Sequence, residues 1–522
     1  MADRKQSFLE KFTPDYSFKG STVTMGAPIL DGEVLTNNFV KVPLKTLNRH
    51  GLISGATGTG KTKTLQLLAE GLSANSVPVL MMDVKGDLSG IAAAGTSNEK
   101  IQERATKIGV TYSASGFPTE LMTLSEENGV RLRATVSEFG PVLFSKMLGL
   151  NDTQTGIVSM MFKYADDKKL PLLDLKDFKK LLQYVSDEGK KEVESLYGAV
   201  STTSTGTILR KVIELEQQGA DLFFGEMSFD TNDLLRIDEN GKGFISIVRL
   251  TNIQDKPKLF STFMLCLLAE IYNTFPEEGD LEAPKLVVFI DEAHLIFKEA
   301  SGELLDQIES IIKLIRSKGV GIIFCTQNPT DIPQAVLSQL GLKVQHALRA
   351  FTALDRKSIK QISENYPLTD FYAVDELLTS LGIGEAAITA LNEKGNPTML
   401  TATLLCPPSS RMGILNDDEL NLINAKSKLV SKYSQVIDRE SAYEMLLQKM
   451  QDVAIESAKD APPAPTTRAG QKTEKSTFET IMKSPVTRSV GVAIAGAITR
   501  SLLGSLGLKS RSSSPRKKSS WF

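Results

Sequence analysis

The chain is short of several things that would each have announced a class of protein. Cysteine is scarce: Cys266, Cys325 and Cys406 stand far apart in 522 residues. That spacing offers neither a disulfide framework nor a cysteine metal site. Two of the three sit in apolar runs, which points to buried thiols in a reducing cytosol. Net charge is nearly absent as well, −2 formally, with a sequence pI ≈ 6.1. Bulk charge therefore does not mark a nucleic-acid binder, and any basic surface must be local. No apolar run is long enough to span a bilayer. The start, Met-Ala-Asp-Arg-Lys-Gln-Ser, lacks the apolar stretch of a secretory signal. The expectation is a cytoplasmic protein. Internal repeats are missing too. What remains, 41% hydrophobic and 23% charged residues, suits a globular chain with a large core and roughly two to four domains.

Against that ordinary background one stretch stands out. Gly55-Ala56-Thr57-Gly58-Thr59-Gly60-Lys61-Thr62 fits G-x-x-x-x-G-K-[ST], the phosphate-binding loop of P-loop nucleotidases. Gly51-Leu52-Ile53-Ser54 before it reads as a short buried strand, and Thr64 to Glu70 after it as a helix. The glycines let backbone N–H groups curl around phosphate oxygens, and the helix start adds its positive dipole end. Lys61 is placed to reach the β and γ phosphates of ATP and Thr62 to hold Mg²⁺. Thr64, a turn further on, is taken with the nucleotide-binding set.

Four further strands carry polar residues at their ends. Val77 to Asp83 is a buried run ending in an acid, followed by the loop Asp83-Val84-Lys85-Gly86-Asp87. In an open α/β sheet ligands bind beyond the carboxyl ends of strands. Asp83 and Lys85 either lie near the nucleotide or form a plain strand-to-helix turn. Lys285 to Ile290 delivers Asp291 and Glu292, the first to the Mg²⁺ shell and the second to polarise the attacking water. Gly321 to Asn328 is a strand that stops at Gln327, which is placed to sense the γ-phosphate or its water. Val344 to Phe351 reads as a strand containing Arg349, with His346 a packed core histidine rather than a ligand.

The rest arranges itself around these. Residues 1–45 are expected to be a flexible or capping arm followed by a short β segment. Residues 46–95 and 241–405 form the two parts of the core. Residues 96–240 lose the α/β rhythm and read as a helical insertion, with amphipathic stretches at Pro141–Leu150, Gln154–Ala165, Leu175–Val185 and Ile208–Gln218. Lys176, Lys179, Lys180, Lys190, Lys191, Arg210 and Lys211 there are either local basic surface or, more commonly, a solvated face. Residues 384–402 read as a closing hairpin, 406–455 as one or two helices, and 456–522 as a Pro/Ala linker with a glycine-rich, basic tail. A docking or membrane-interface helix stays open for its glycine-rich part, and nucleic acid, acidic lipid or plain solubility for its basic end.

Taken in order, the loop, Asp83-Val84-Lys85-Gly86-Asp87-Leu88, Phe289 to His294, Arg316 with Gly319-Val320-Gly321, Thr326-Gln327 and Gln345 to Thr352 resemble the HerA/FtsK branch of P-loop ATPases. The bacterial HerA-like helicase group is the nearest match, over most of residues 45–405 and again at 485–510. The resemblance implies a RecA-like α/β core that assembles as a hexameric ring, binds ATP between subunits and moves DNA through its centre. It implies that Arg316 is an arginine finger, with Arg349 a second candidate. HerA proper begins with a β-barrel that engages a nuclease. Roughly fifty residues precede the loop strand here, so a full barrel does not fit. The expected activity is ATP hydrolysis driving DNA translocation. The alternative is an ATPase that assembles and regulates a nuclease or other effector protein. A conjugation-type coupling ATPase is disfavoured because the sequence shows no membrane anchor.

Overall fold

A computed structural model describes residues 2–459 except 126, 252–255, 280, 298–301, 436, 438 and 439. Its strands are β1 (Thr22–Leu30), β2 (Glu33–Val34), β3 (Val40–Pro43), β4 (Gly51–Ser54), β5 (Val79–Asp83), β6 (Thr119–Thr123) and β7 (Val130–Arg131). They continue with β8 (Ile245–Arg249), β9 (Leu286–Ile290), β10 (Val320–Thr326), β11 (Leu342–Gln345), β12 (Glu385–Thr389) and β13 (Thr401–Leu405). All join one sheet, in the order β2-β1-β13-β12-β11-β4-β10-β9-β5-β8-β6-β7, with β3 also paired to β1.

The run from β11 to β7 is parallel throughout. The sequences of its central strands explain why. β9 is apolar throughout and β5 and β10 up to their last residues, Asp83 and Thr326, and all three are buried at every position, the composition expected where both faces of a sheet are covered. Successive residues alternate between two cores. Val288 and Ile290 join one face's cluster, while Val287 and Phe289 join the other's. On the antiparallel side, β12, β13 and β1 extend the sheet outward from β11.

The helix Lys61–Ala74 and the N-terminal helix Ala2–Asp15 feed the second face. Of the flexible and capping alternatives for the N-terminal arm, the helix takes the second. Phe8, Phe12 and Tyr16 are buried at helical spacing, and Phe8 meets Phe371 edge-on at 5.2 Å. The first face is covered by Pro257–Thr274, Gly302–Leu314 and a helical layer running from Val136 to Gln217. That layer is locally well signalled: Thr135, Asn151 and Asp174 each close a capping box.

Other expectations change at their boundaries. The segment 96–240 is not wholly helical, because β6 enters the sheet beside β8 and β7 beside β6. The strand expected over Val344–Phe351 stops at Gln345, so Arg349 lies in the loop beyond it. Residues 417–459 hold three helices rather than one or two. The glycine-rich and basic stretches at 489–522 lie outside the described residues. Among those described, no helix is long and apolar enough to cross a membrane.

Candidate nucleotide and catalytic site

β4 lies between β10 and β11, and the chain leaves its carboxyl end directly into the glycine loop. Strand order turns at this point, with later strands on either side, so a crevice opens beyond the carboxyl ends. Gly58 and Gly60 take positive φ, 79° and 113°, a backbone open to glycine at little cost. Gly55 is required for space as well: a Cβ there would stand 2.5 Å from His346 Cβ. Gly60 caps the helix that starts at Lys61, with no side chain bonded to the first-turn N–H groups. Those donors, with the helix dipole, make a ready anion site.

Lys61 is buried, and its Nζ donates to Gly55 O at 2.7 Å and Ala56 O at 3.1 Å, which holds the ammonium over the loop. Burial lowers its pKa, as does the charge of Lys85, against the acids Glu292 and Asp291. Thr62 follows in the same helical turn, half-buried. Three other residues of the nucleotide set are spent on the loop itself. Thr59 Oγ1 donates to Ala56 O (2.7 Å), and Ala56 N donates to Ala347 O (2.9 Å). Thr64 is buried, with its hydroxyl 2.8 Å from His346 Nε2. Thr57 stands beside them in the loop, exposed.

The acidic pair arrives two strands away. Phe289 and Gly51 flank Ile323 of β10, which sets Asp291 and Glu292 on the same edge as the loop, about 10 Å across the sheet. Both are buried. Asp291 Oδ2 makes no hydrogen bond among the described residues. Burial raises the Asp291 carboxyl above its usual range, although the Lys85 charge opposes this. An orphaned carboxylate oxygen and a helix-start hydroxyl on the same sheet edge are the kind of hard-oxygen donors a magnesium ion takes, alongside phosphate and water. Asp291 and Thr62 therefore fit that ion. Glu292 adopts φ 48°, a left-handed setting that costs a non-glycine residue about 1 kcal/mol or more. One carboxylate oxygen pairs with Lys85 and the other lies 3.3 Å from His294 Nδ1.

Asp83 turns inward: its oxygens accept from Gly86 N (2.7 Å), Asp87 N (3.2 Å) and Leu88 N (3.1 Å). It shapes the loop, and Lys85 is the residue of the pair that meets the acids. Gln327 is exposed just past the end of β10, between the loop strand and the acidic strand. Arg349 is exposed on this edge too, beyond β11. Arg316 is not on it. It sits in the short helix Ile315–Lys318 that precedes β10, at the amino edge. Six residue steps of β10 separate that end from Thr326, about 20 Å.

A buried polar network supports the loop from β11. His346 N donates to Ser54 O (2.7 Å), Ser54 Oγ donates to Gln345 Oε1 (2.7 Å), and Tyr366 OH donates to the same oxygen (3.1 Å). Sequence reasoning named His346 only as a core residue. Its signal is the pairing of β11 with β4, which the linear sequence does not display.

The family model for the Helicase HerA-like C-terminal domain matches residues 30–511. The chain belongs to the HerA-like helicase family. It is 24% identical over 374 residues to the DNA double-strand break repair helicase HerA of Sulfolobus acidocaldarius, covering 70% of this chain and 68% of that protein. It is 23% identical over 399 residues to the DNA import protein CedB of the same organism, covering 75% of this chain and 58% of that protein. Among solved structures it is similar to the plasmid coupling protein TrwB in complex with a non-hydrolysable ATP analogue. The TM-score is 0.52 at 15% identity, over 78% of this chain and 93% of that one. That likeness establishes the RecA-like P-loop fold. This HerA-like chain is a P-loop ATP hydrolase.

Proposed function

We propose that the protein is a ring-forming, ATP-dependent DNA translocase or helicase, with ATP and Mg²⁺ held between subunits. Two considerations support it. The relatives named above are a repair helicase and a DNA import protein. The observation that carries the reading is the split of the site: loop, acids and Gln327 on one sheet edge, and Arg316 about 20 Å away on the other. An arginine there serves a neighbour's nucleotide and not its own.

In this reading the loop N–H groups and Lys61 hold the phosphates, and Thr62 with Asp291 holds the metal. Bound magnesium supplies charge neutralisation at the phosphate oxygens. Glu292 takes the proton of the attacking water, Gln327 orients that water, and Arg349 is a second basic group at the same edge. Arg316 of the neighbouring copy balances charge on the transferring group.

The test is ATP turnover with and without DNA, for wild type, Lys61→Ala and Glu292→Gln. Lys61→Ala is expected to be inactive. Glu292→Gln is expected to bind ATP yet turn over about a hundredfold or more slower, because an amide cannot accept the proton. Turnover by the wild type should rise with DNA of any sequence. Binding with an ATP analogue should weaken steeply with salt, as phosphate contacts do. Turnover indifferent to DNA, without DNA binding at low salt, would favour instead an ATPase that assembles and regulates a nuclease or another effector.

A further inference from the structure

The residue assigned as general base is not at liberty where it stands. Glu292 is 6% exposed, with one carboxylate oxygen in an ion pair with Lys85 and the other 3.3 Å from His294 Nδ1, and neither oxygen makes a hydrogen bond among the described residues. An ammonium pressed against a carboxylate oxygen occupies the place that an attacking water would take there. The two sides of the contact differ in mobility. Glu292 is fixed by a buried backbone turn at φ 48°. The backbone at Lys85 is also fixed, by the three N–H bonds to Asp83 that close its loop. The Lys85 side chain, however, is 42% exposed and carries four rotatable methylenes, so it can swing away with no change in fold.

We propose that Lys85, assisted by His294, is a latch on the general base. It holds Glu292 in a resting setting and lets go when a terminal nucleotide phosphate competes for its ammonium. This rests on the catalytic role of Glu292 in the reading above. The competitor follows from the layout. Lys61 sits over the phosphate loop, and the Lys85 charge already reaches it. A γ-phosphate held by Lys61 therefore lies within the field of Lys85, whereas a nucleoside diphosphate leaves that position to water. The latch thus distinguishes triphosphate from diphosphate and suppresses idle activation of water.

The experiment measures kcat and KM for ATP without DNA in wild type, Lys85→Met, Lys85→Arg and Lys85→Met/Glu292→Gln. Affinity for a fluorescent ATP analogue is read in parallel. The latch predicts that Lys85→Met raises kcat by roughly threefold to tenfold, as a freed base would. Lys85→Arg, which keeps the ion pair, should stay near wild type. The double variant should be as inactive as Glu292→Gln, because the extra turnover must still run through Glu292. A kcat for Lys85→Met that is unchanged or lower overturns the latch, and lower analogue affinity with it would make Lys85 a plain phosphate ligand. Since Lys85 is half-exposed, the variant should fold, and His294→Gln gives a second, smaller release to compare. DNA stimulation is measured in the same series. Wild-type turnover that ignores DNA fails the translocase reading, while the ratio of Lys85→Met to wild type still decides the latch.

Discussion

At the scale of single residues, His346 shows how much of the loop's shape is imposed from outside it. The residue is buried with its Cβ and backbone against Gly55, its ring nitrogen meets Thr64, and its backbone N–H ties to the strand that launches the loop. Burial holds its pKa down at about 4, so it is neutral at ordinary pH. His346→Ala removes that hydrogen bond and opens space behind Gly55. The loss of about 1 kcal/mol of support should appear as a KM for ATP raised about fivefold, with kcat little changed. His346→Gln, which can still reach Thr64, should recover part of the affinity. Equal loss in kcat and KM terms for both variants would mean a general collapse of the fold, and thermal unfolding would show it. The letters of the motif were legible without any of this, because they encode chemistry within eight consecutive positions. Their support was not, since His346 and Gln345 come nearly 300 residues later, and only strand pairing brings them home.

At the scale of elements, the buried parallel strands were readable because unbroken apolar runs have one common use. The N-terminal helix was not read, although Phe8, Phe12 and Tyr16 are spaced by four. Its apolar stripe is thin among charges, and its partner Phe371 is remote in sequence. β6, with the residues Thr-Glu-Leu-Met-Thr, carries too little local signal to be found without its neighbour β8. One junction between elements makes a pH prediction. His50, at the start of β4, donates through Nε2 to Ile312 O (2.8 Å) and accepts at Nδ1 from Ile322 N (3.0 Å). A protonated ring would face that N–H with a second proton. Burial accordingly depresses its pKa from 6.5 to about 4. A depressed folded value means stability that is complete above about 6.5 and lost as pH falls through 4. Asp83 acts in the opposite sense: burial raises it to about 6, so its contribution grows as pH falls toward 4. Comparing variants isolates the histidine. His50→Gln should be less stable than wild type at pH 7.5, and the gap should narrow by up to about 1.4 kcal/mol per pH unit between 6.5 and 5. Urea unfolding at several pH values measures it, and a constant gap would refute the assignment.

At the scale of the whole molecule, the sheet separates Arg316 from the phosphate loop and the acids. The phosphate loop and the acids lie at the carboxyl ends of β4 and β9, while Arg316 lies before the amino end of β10. A long arginine side chain does not bridge the roughly 20 Å between them, so a single copy is catalytically incomplete if Arg316 takes part. Assembly in which the carboxyl edge of one copy meets the amino edge of the next completes every site except at an open end, and closure into a ring removes that exception. The residue pattern suggested Arg316 by resemblance, but the reason it would have to act across an interface, if it acts at all, is topological and emerges only from strand order. Arg316→Ala and Lys61→Ala should therefore each be inactive alone, with the arginine's contribution about a thousandfold or more by analogy with other supplied arginines. Mixed and allowed to exchange subunits, they should regain turnover, because some interfaces then join an intact Lys61 from one parent to an intact Arg316 from the other. The regained rate should pass through a maximum at an intermediate mixing ratio and vanish at both extremes. A ring that needs several live interfaces would sharpen that maximum and lower it. Full turnover by Arg316→Ala alone would remove Arg316 from the reaction. The test would then pass to Arg349, which shares an edge with the phosphate loop and would have to act within its own subunit, so that mixing Arg349→Ala with Lys61→Ala should restore nothing.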